Sequence, residues 1–310
     1  MEAHAVKDEL ERRIRAERRV AVIINAQSRR GQRLGMAAIA RLEAADYAVS
    51  GHFMRNPLYL RRRIEGVVAE GYQFIILGGG DGTISSSTYA FAERDLVLGI
   101  LPLGTGNSFA RSLGIPLTLS GALDVLLQGK VADVDLGKVG RDYFANIVDI
   151  GLSGEMAWGT PRALKRALGV FAYVYVGLRL LWRHRPFLAR FTSGGDTRVT
   201  YTHEIIIANG RYYGESLLGG SASVENRRLV VYTMEAVSRW QLARLWLAFL
   251  LRKRVPLAGM PHFETRAVTV ETEPPQYIDL DGEETVRTPA HFTVAPNALY
   301  VMVPREFADQ

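Results

Sequence analysis

Two glycine-rich turns, each set directly after an apolar run, constrain this chain more than any other feature. Phe74-Ile75-Ile76-Leu77 runs into Gly78-Gly79-Gly80-Asp81-Gly82-Thr83, and Leu98-Gly99-Ile100-Leu101-Pro102 runs into Leu103-Gly104-Thr105-Gly106-Asn107. A short apolar run closed by glycine reads as a buried strand. Glycine at the strand end lets backbone N–H groups approach a phosphate, with a helix N-terminus behind them. A helix-length segment joins the two turns, which suggests neighbouring parallel strands sharing one crevice. Asp81 sharpens the reading. A carboxylate inside such a turn repels a bare phosphate and is accommodated when a metal ion, or its water, lies between them. The pattern points to a magnesium-nucleotide site, and the spacing matches neither G-x-x-x-x-G-K-[ST] nor G-x-G-x-x-G.

The flanking patterns set the domain organisation. Residues 1–18 read as a charged tail or solvated helix. From 19 to 133, strand and helix signals alternate: strands Val20–Asn25, Tyr47–Met54, Phe74–Leu77 and Val97–Leu101, a helix from Pro57 to Glu70, another near Ser86–Glu93, and one capped by Ser120 and ended by Gly129. This predicts a doubly wound α/β nucleotide-binding domain with a parallel sheet. From 134 to 296 the signals become mainly strands: Val134–Val139, Tyr143–Ile150, Phe187–Thr192, Val199–Ala208, Leu229–Met234, Phe263–Val270, Tyr277–Leu280 and His291–Ala295. Ser193-Gly194-Gly195-Asp196 is a hairpin tip. The second domain is therefore predicted to be an all-β, mainly antiparallel β-sandwich with helical insertions at about 161–184 and 237–251. Residues 297–310 read as a C-terminal strand, Leu299–Val303, and a tail, with a return of that strand to the first domain as one expectation.

The net charge of +6 is unevenly distributed. No acidic residue occurs from Met156 to Gly195, a stretch carrying Arg162, Lys165, Arg166, Arg179, Arg183, Arg185 and Arg190. Ala236–Phe263 is likewise free of acids and carries Arg239, Arg244, Arg252, Lys253 and Arg254. Both stretches contain apolar runs shorter than the roughly 18–20 residues that span a bilayer. Basic, apolar segments of this length suit an anionic membrane surface. They lack the polar basic stripe of a nucleic-acid binder. The absence of cysteine removes disulfides, thiolate zinc sites and thiol catalysis, and fits a reducing compartment. Met1–Arg19 lacks the apolar region of a secretory signal. The expectation is a cytoplasmic protein held peripherally at the membrane.

Four segments carry a family resemblance: Ile23–Gly31, GGGDGTIS at 78–85, PLGTGNSFAR at 102–111, and Ile278-Asp279-Leu280-Asp281-Gly282-Glu283. Together they resemble the catalytic domain of the diacylglycerol kinase and sphingosine kinase family, in its bacterial lipid kinase branch, from about residue 19 to 305. The resemblance implies an ATP- and Mg2+-dependent kinase acting on the hydroxyl of a membrane lipid such as diacylglycerol, with the active site between the two domains. It assigns Glu283 as proton acceptor, with Asp281 and Asp81 beside it. It assigns nucleotide contacts to Asn25, Ser28, Gly79, Gly80, Asp81, Gly82, Thr83, Ile84, Ser85, Ser86, Gly104, Thr105 and Gly106. Asp81 would meet magnesium through water, and Asn226 falls at a degenerate structural metal site.

The chain departs from the family pattern at Ser108, where a carboxylate is usual, and at Glu225-Asn226-Arg227, where Asp-Asp-Gly is usual. Two other readings use the same motifs. An NAD kinase-like enzyme shares GGDGT, and a lipid-binding regulatory homologue would keep the fold without turnover. A homodimer is compatible with the sequence.

Overall fold

The computed structural model describes residues 2–27, 29–152, 185–213, 216–218, 223–235, 241, 260–280 and 283–308. The first half alternates strand and helix: α1 (Glu2–Glu17), β1 (Arg19–Asn25), α2 (Arg29–Glu43), β2 (Ala48–Met54), a 3-10 turn at Pro57–Tyr59, α3 (Leu60–Ala69), β3 (Phe74–Gly79), α4 (Asp81–Phe91), β4 (Val97–Pro102), α5 (Ser108–Ser112) and α6 (Leu119–Gln128). The order β2-β1-β3-β4 is parallel throughout. Every residue of β3 and β4 is buried, as a parallel sheet covered on both faces requires. Only the edge strand β2 alternates in exposure. Thr118, not Ser120, caps α6: its hydroxyl accepts the Gly121 N–H at 3.3 Å.

The second half contributes β5 (Lys130–Val139), β6 (Asp142–Phe144), β7 (Ile147–Gly151), β8 (Phe187–Ser193), β9 (Asp196–Ala208), β10 (Tyr212–Tyr213), β11 (Ser216–Leu217), β12 (Leu229–Glu235), β13 (His262–Thr265), β14 (Ala267–Glu273), β15 (Tyr277–Leu280), β16 (Glu283–Arg287) and β17 (Ala290–Val303). The order β16-β15-β7-β9-β8-β14-β17 is antiparallel, and β12 carries β13 alongside β9. Its apolar faces enclose a second core built on Phe144, Phe187, Phe191, Ile207, Val231 and Phe292. The β8–β9 hairpin turns at Gly194 and Gly195, whose φ of +59° and +91° are the positive values a tight hairpin needs. Tyr143–Ile150 and Phe263–Val270 each divide into two strands, the first around Ala145-Asn146 and the second at Arg266.

Two strands join the units. β17 lies parallel to β4 through Tyr300 and Val301, and antiparallel to β14 through Ala290–Thr293. It also pairs with β5 from Phe292↔Val139 to Val303↔Lys130, with a register shift between Ala295 and Leu299. Residues 291–295 and 299–303 thus belong to one strand of 14 residues.

The N-terminus is a helix, one of the two readings, but one of its faces is docked on the core instead of solvated. Leu10 and Ile14, four residues apart on α1, are buried in the main core. Lys7 Nζ pairs with Asp133 Oδ1 at 3.1 Å, both side chains almost fully buried. Glu11 accepts the Val131 N–H at 2.9 Å, and Arg15 donates to the carbonyls of Leu127 and Gly129 at the end of α6. The charges that surround the Leu10/Ile14 stripe are therefore partly internal fastenings. Removing one partner of a buried pair leaves the other charge uncompensated. Lys7→Met is expected to lower the unfolding free energy by about 3 kcal/mol. Urea denaturation checks this, and an unchanged midpoint would show the pair to be dispensable.

Candidate active site

The site forms where β1, β3 and β4 end. Gly80 is the N-cap of α4, and its carbonyl accepts the N–H groups of Thr83 (3.0 Å) and Ile84 (3.2 Å). Asp81 and Gly82 are left in the first helical turn with N–H groups that have no intrahelical acceptor. A side chain added at Gly82 would meet nothing within 4 Å, so this glycine faces open space. The other glycines answer to packing. A Cβ on Gly79 would overlap the Thr83 side chain, and one on Gly80 would lie 3.1 Å from Gly104 Cα. The two turns touch backbone to backbone, which two residues bearing side chains could not do.

Hydrogen bonds hold that contact. The Leu103 N–H donates to the Gly79 carbonyl at 2.8 Å. Asn107, in the left-handed region at φ +50°, closes the second turn. Its Oδ1 accepts the Gly104 N–H at 3.0 Å and its Nδ2 donates to the Gly104 carbonyl at 2.9 Å. Asp81 Oδ1 accepts the Ser108 N–H at 2.6 Å and so reaches from the first turn to the start of α5. Arg111 Nε donates to the Gly106 carbonyl at 2.8 Å. Asn25 Nδ2 donates to Thr83 Oγ1 at 3.1 Å, which draws the end of β1 into the same cluster.

Of the residues named from sequence, Asn25, Gly79–Ser86 and Gly104–Gly106 are thus brought together. They differ in what they can offer a ligand. Ile84 is buried in the core. Ser86 Oγ donates to the Gly82 carbonyl at 2.7 Å, and Thr83 Oγ1 is engaged by Asn25. Thr105 is exposed on the second turn. Glu283 opens β16, the edge strand of the second unit, opposite Leu280. Ser28 and Asp281 lie outside the described residues, as do most of the basic apolar stretches 156–195 and 236–263.

Asn226 closes the loop ahead of β12. Its Oδ1 accepts the Arg228 N–H at 3.1 Å, closing a local turn. The neighbouring Arg227 N–H donates to Asp135 Oδ2 at 2.7 Å, while Asp135 Oδ1 accepts the Asn297 N–H at 3.0 Å. Burial pushes the Asp135 carboxyl above its ordinary value, and these two N–H donors act against that shift. Asp135 fastens the 224–227 loop and β17 to β5. Its signal in the sequence was an acid inside the apolar run Val134–Leu136. Among the described residues, no three His, Cys, Asp or Glu side chains come together as a metal centre.

Comparison with known proteins agrees with this arrangement. Residues 19–139 match the model of the diacylglycerol kinase catalytic domain, and residues 147–303 match the YegS C-terminal NAD kinase beta sandwich-like domain. A Staphylococcus aureus diacylglycerol kinase is 27% identical over 286 residues, covering 88% of each chain. The crystal structure of a Bacillus anthracis diacylglycerol kinase superposes with a TM-score of 0.70 at 18% identity, over 94% of this chain and 98% of that one. A further structure from the same organism gives 0.75 at 20% identity, over 94% and 97%. These last two are likenesses of fold.

The Gly80–Gly104 contact yields a direct test. A methyl at residue 104 would overlap Gly80 Cα and the Asn107 amide. Gly104→Ala is expected to part the turns and weaken nucleotide binding about tenfold or more, the cost of one overpacked contact. Gly82→Ala, facing open space, should leave the melting temperature unchanged. Titration with a fluorescent nucleotide reads the first effect. Equal affinity in Gly104→Ala and wild type would show that the turns need not touch.

Proposed function

The chain belongs to the diacylglycerol kinase catalytic-domain family, and from that premise we propose that it transfers the γ-phosphoryl group of ATP to the hydroxyl of a membrane lipid such as diacylglycerol. The observation that carries this reading is the pair of interlocked turns at the ends of adjacent parallel strands. They present a helix N-terminus, an unobstructed glycine and a carboxylate on one edge of the sheet.

The N–H groups of Asp81 and Gly82, with the positive end of α4, suit phosphate oxygens. Thr105, Gly104 and Gly106 form the facing wall. Phosphoryl transfer of this kind depends chiefly on positioning and charge stabilisation. Magnesium, when bound with the nucleotide, supplies neutralisation of phosphate charge. The residues present fit a metal held mainly by phosphates, which asks for one or two carboxylates. Asp81 offers one, oriented through its Oδ1 bond to the Ser108 N–H. That bond needs only a backbone N–H, so serine at 108 serves it as well as an acidic residue.

Glu283 is proposed as the group that accepts the lipid hydroxyl proton, with Asp281 beside it. A carboxylate with an ordinary pKa of about 4.3 is a weak base toward an alcohol. It serves when the proton moves late and the transition state is loose.

No helix among the described residues is long and apolar enough to cross a membrane. Peripheral attachment to an anionic cytoplasmic membrane surface, through the basic stretches 156–195 and 236–263, belongs to the same proposal.

The decisive experiment incubates purified protein with ATP, magnesium and extracted membrane lipids, with NAD as a competing acceptor, and follows the products by mass spectrometry. A phosphorylated lipid and unchanged NAD are expected. Phosphorylated NAD alone would overturn the reading in favour of the NAD kinase-like alternative. Glu283→Gln should cut lipid turnover about 100-fold or more while nucleotide affinity holds, because only proton acceptance is lost. Near-normal turnover would remove Glu283 from that role. Asp81→Asn should shift the magnesium titration to higher concentration and slow turnover with the fold retained. An unchanged titration would reduce Asp81 to a helix cap.

A further inference from the structure

The segment after β2 is built to protrude. Asn56 Oδ1 accepts the Leu58 N–H at 3.0 Å and the Asn56 carbonyl accepts the Tyr59 N–H at 3.2 Å, which fixes a short turn ahead of α3. On it Leu58 is 84% exposed and Tyr59 58% exposed, adjacent in sequence and directed away from the core. Single exposed apolar residues are ordinary, but two large neighbours on a hydrogen-bonded tip are not a packing remnant.

Basic residues flank this tip in the sequence. Arg55, Arg62 and Arg63 are exposed and take part in no salt bridge among the described residues. Arg61 differs, since its guanidinium stacks 4.2 Å over the Tyr89 ring. The next acid along α3, Glu65, is already engaged by Arg94 at 3.2 Å. From Arg55 to Ile64 there is no acidic residue.

Placement gives the tip its meaning. β2 is parallel to β1, and Met54 at its end pairs with Asn25. The Met54 carbonyl also accepts the Ala26 N–H at 2.8 Å. The tip therefore stands on the sheet edge that carries Asn25 and the two glycine turns.

We propose that Leu58 and Tyr59, with the exposed Arg55, Arg62 and Arg63 that flank them in sequence, form a docking surface for an anionic lipid bilayer that sets the active-site edge toward the membrane. The proposal rests on the lipid-kinase reading for its purpose and on charge complementarity for its partner. Leucine enters the acyl boundary, tyrosine suits the headgroup level, and arginine meets lipid phosphates. The surface lies on the first unit, between β2 and α3.

The test uses the full chain in co-sedimentation with vesicles of phosphatidylcholine alone and of phosphatidylcholine mixed with phosphatidylglycerol. Wild-type protein should prefer the anionic vesicles. Arg55→Gln/Arg62→Gln/Arg63→Gln should lower that partitioning by about 100-fold, following the per-residue attraction of basic groups to anionic surfaces. Leu58→Ser/Tyr59→Ser should lower it about tenfold through lost apolar burial. Both variants should keep the wild-type melting temperature and their activity on a detergent-dispersed short-chain diacylglycerol.

Equal wild-type binding to both vesicles, or variants that partition like wild type, would overturn the proposal. So would Leu58→Ser/Tyr59→Ser losing nucleotide affinity with partitioning intact, since the tip would then serve the nucleotide. A protein that docks as described but phosphorylates no lipid overturns the reading of function and leaves the surface standing.

Discussion

The hydrogen bonding of β17 is the constraint on which the molecule rests. One 14-residue strand gives its first part to β14, its last part to β4, and pairs with β5 along nearly its whole length. Backbone groups buried at a junction must find partners, and here the sheet itself supplies them across both units. Asp135 reinforces the joint by receiving N–H groups from Asn297 on β17 and from Arg227 on the loop before β12. Further bonds cross the junction at Asn209, whose Nδ2 donates to the carbonyls of Asp135 and Ala145. The two units are thus branches of one continuous sheet.

Within that frame the glycines do two different jobs. Gly80 and Gly104 permit a backbone approach, while Gly82 leaves room for something else. Asp81 links the jobs, because its carboxylate sits at the head of one helix and caps the next. A charge-assisted bond of this type is stronger than a neutral one, and it orients the carboxylate before any ligand arrives. On the function proposed above, a phosphate-bearing partner would meet shape and charge already in place.

The sequence made the parallel sheet legible because β1, β3 and β4 are uninterrupted apolar runs ended by polar or glycine residues. The grouping of Asn25 with both turns was legible for the same reason, since parallel strands bring their ends to one edge. What escaped depended on distant partners. Leu10 and Ile14 were hidden among charges whose partners, Asp133, Val131 and Gly129, lie more than a hundred residues away in sequence. The bond from Asp81 to Ser108 was hidden because a backbone N–H has no sequence signature. Residues 291–303 read as two strands because the pairing shifts register between Ala295 and Leu299 while the chain stays extended. The protruding Leu58-Tyr59 tip was concealed by its resemblance to the ordinary start of a helix after Pro57.

The distance in sequence between β4 and β17 also has a bearing on biosynthesis. β4 is complete by residue 102, yet its outer edge is covered only when Tyr300 and Val301 arrive. α1 is made well before its anchors on β5 and at the end of α6, which follow more than a hundred residues later. A nascent chain therefore carries an undocked helix until β5 is made and an uncovered parallel edge until β17 is made. Unpaired strand edges are the sites where growing chains associate wrongly. β17 acts as a seal, and a ribosome that stalls short of it leaves the edge of β4 bare and the first α/β unit unfinished rather than merely shortened.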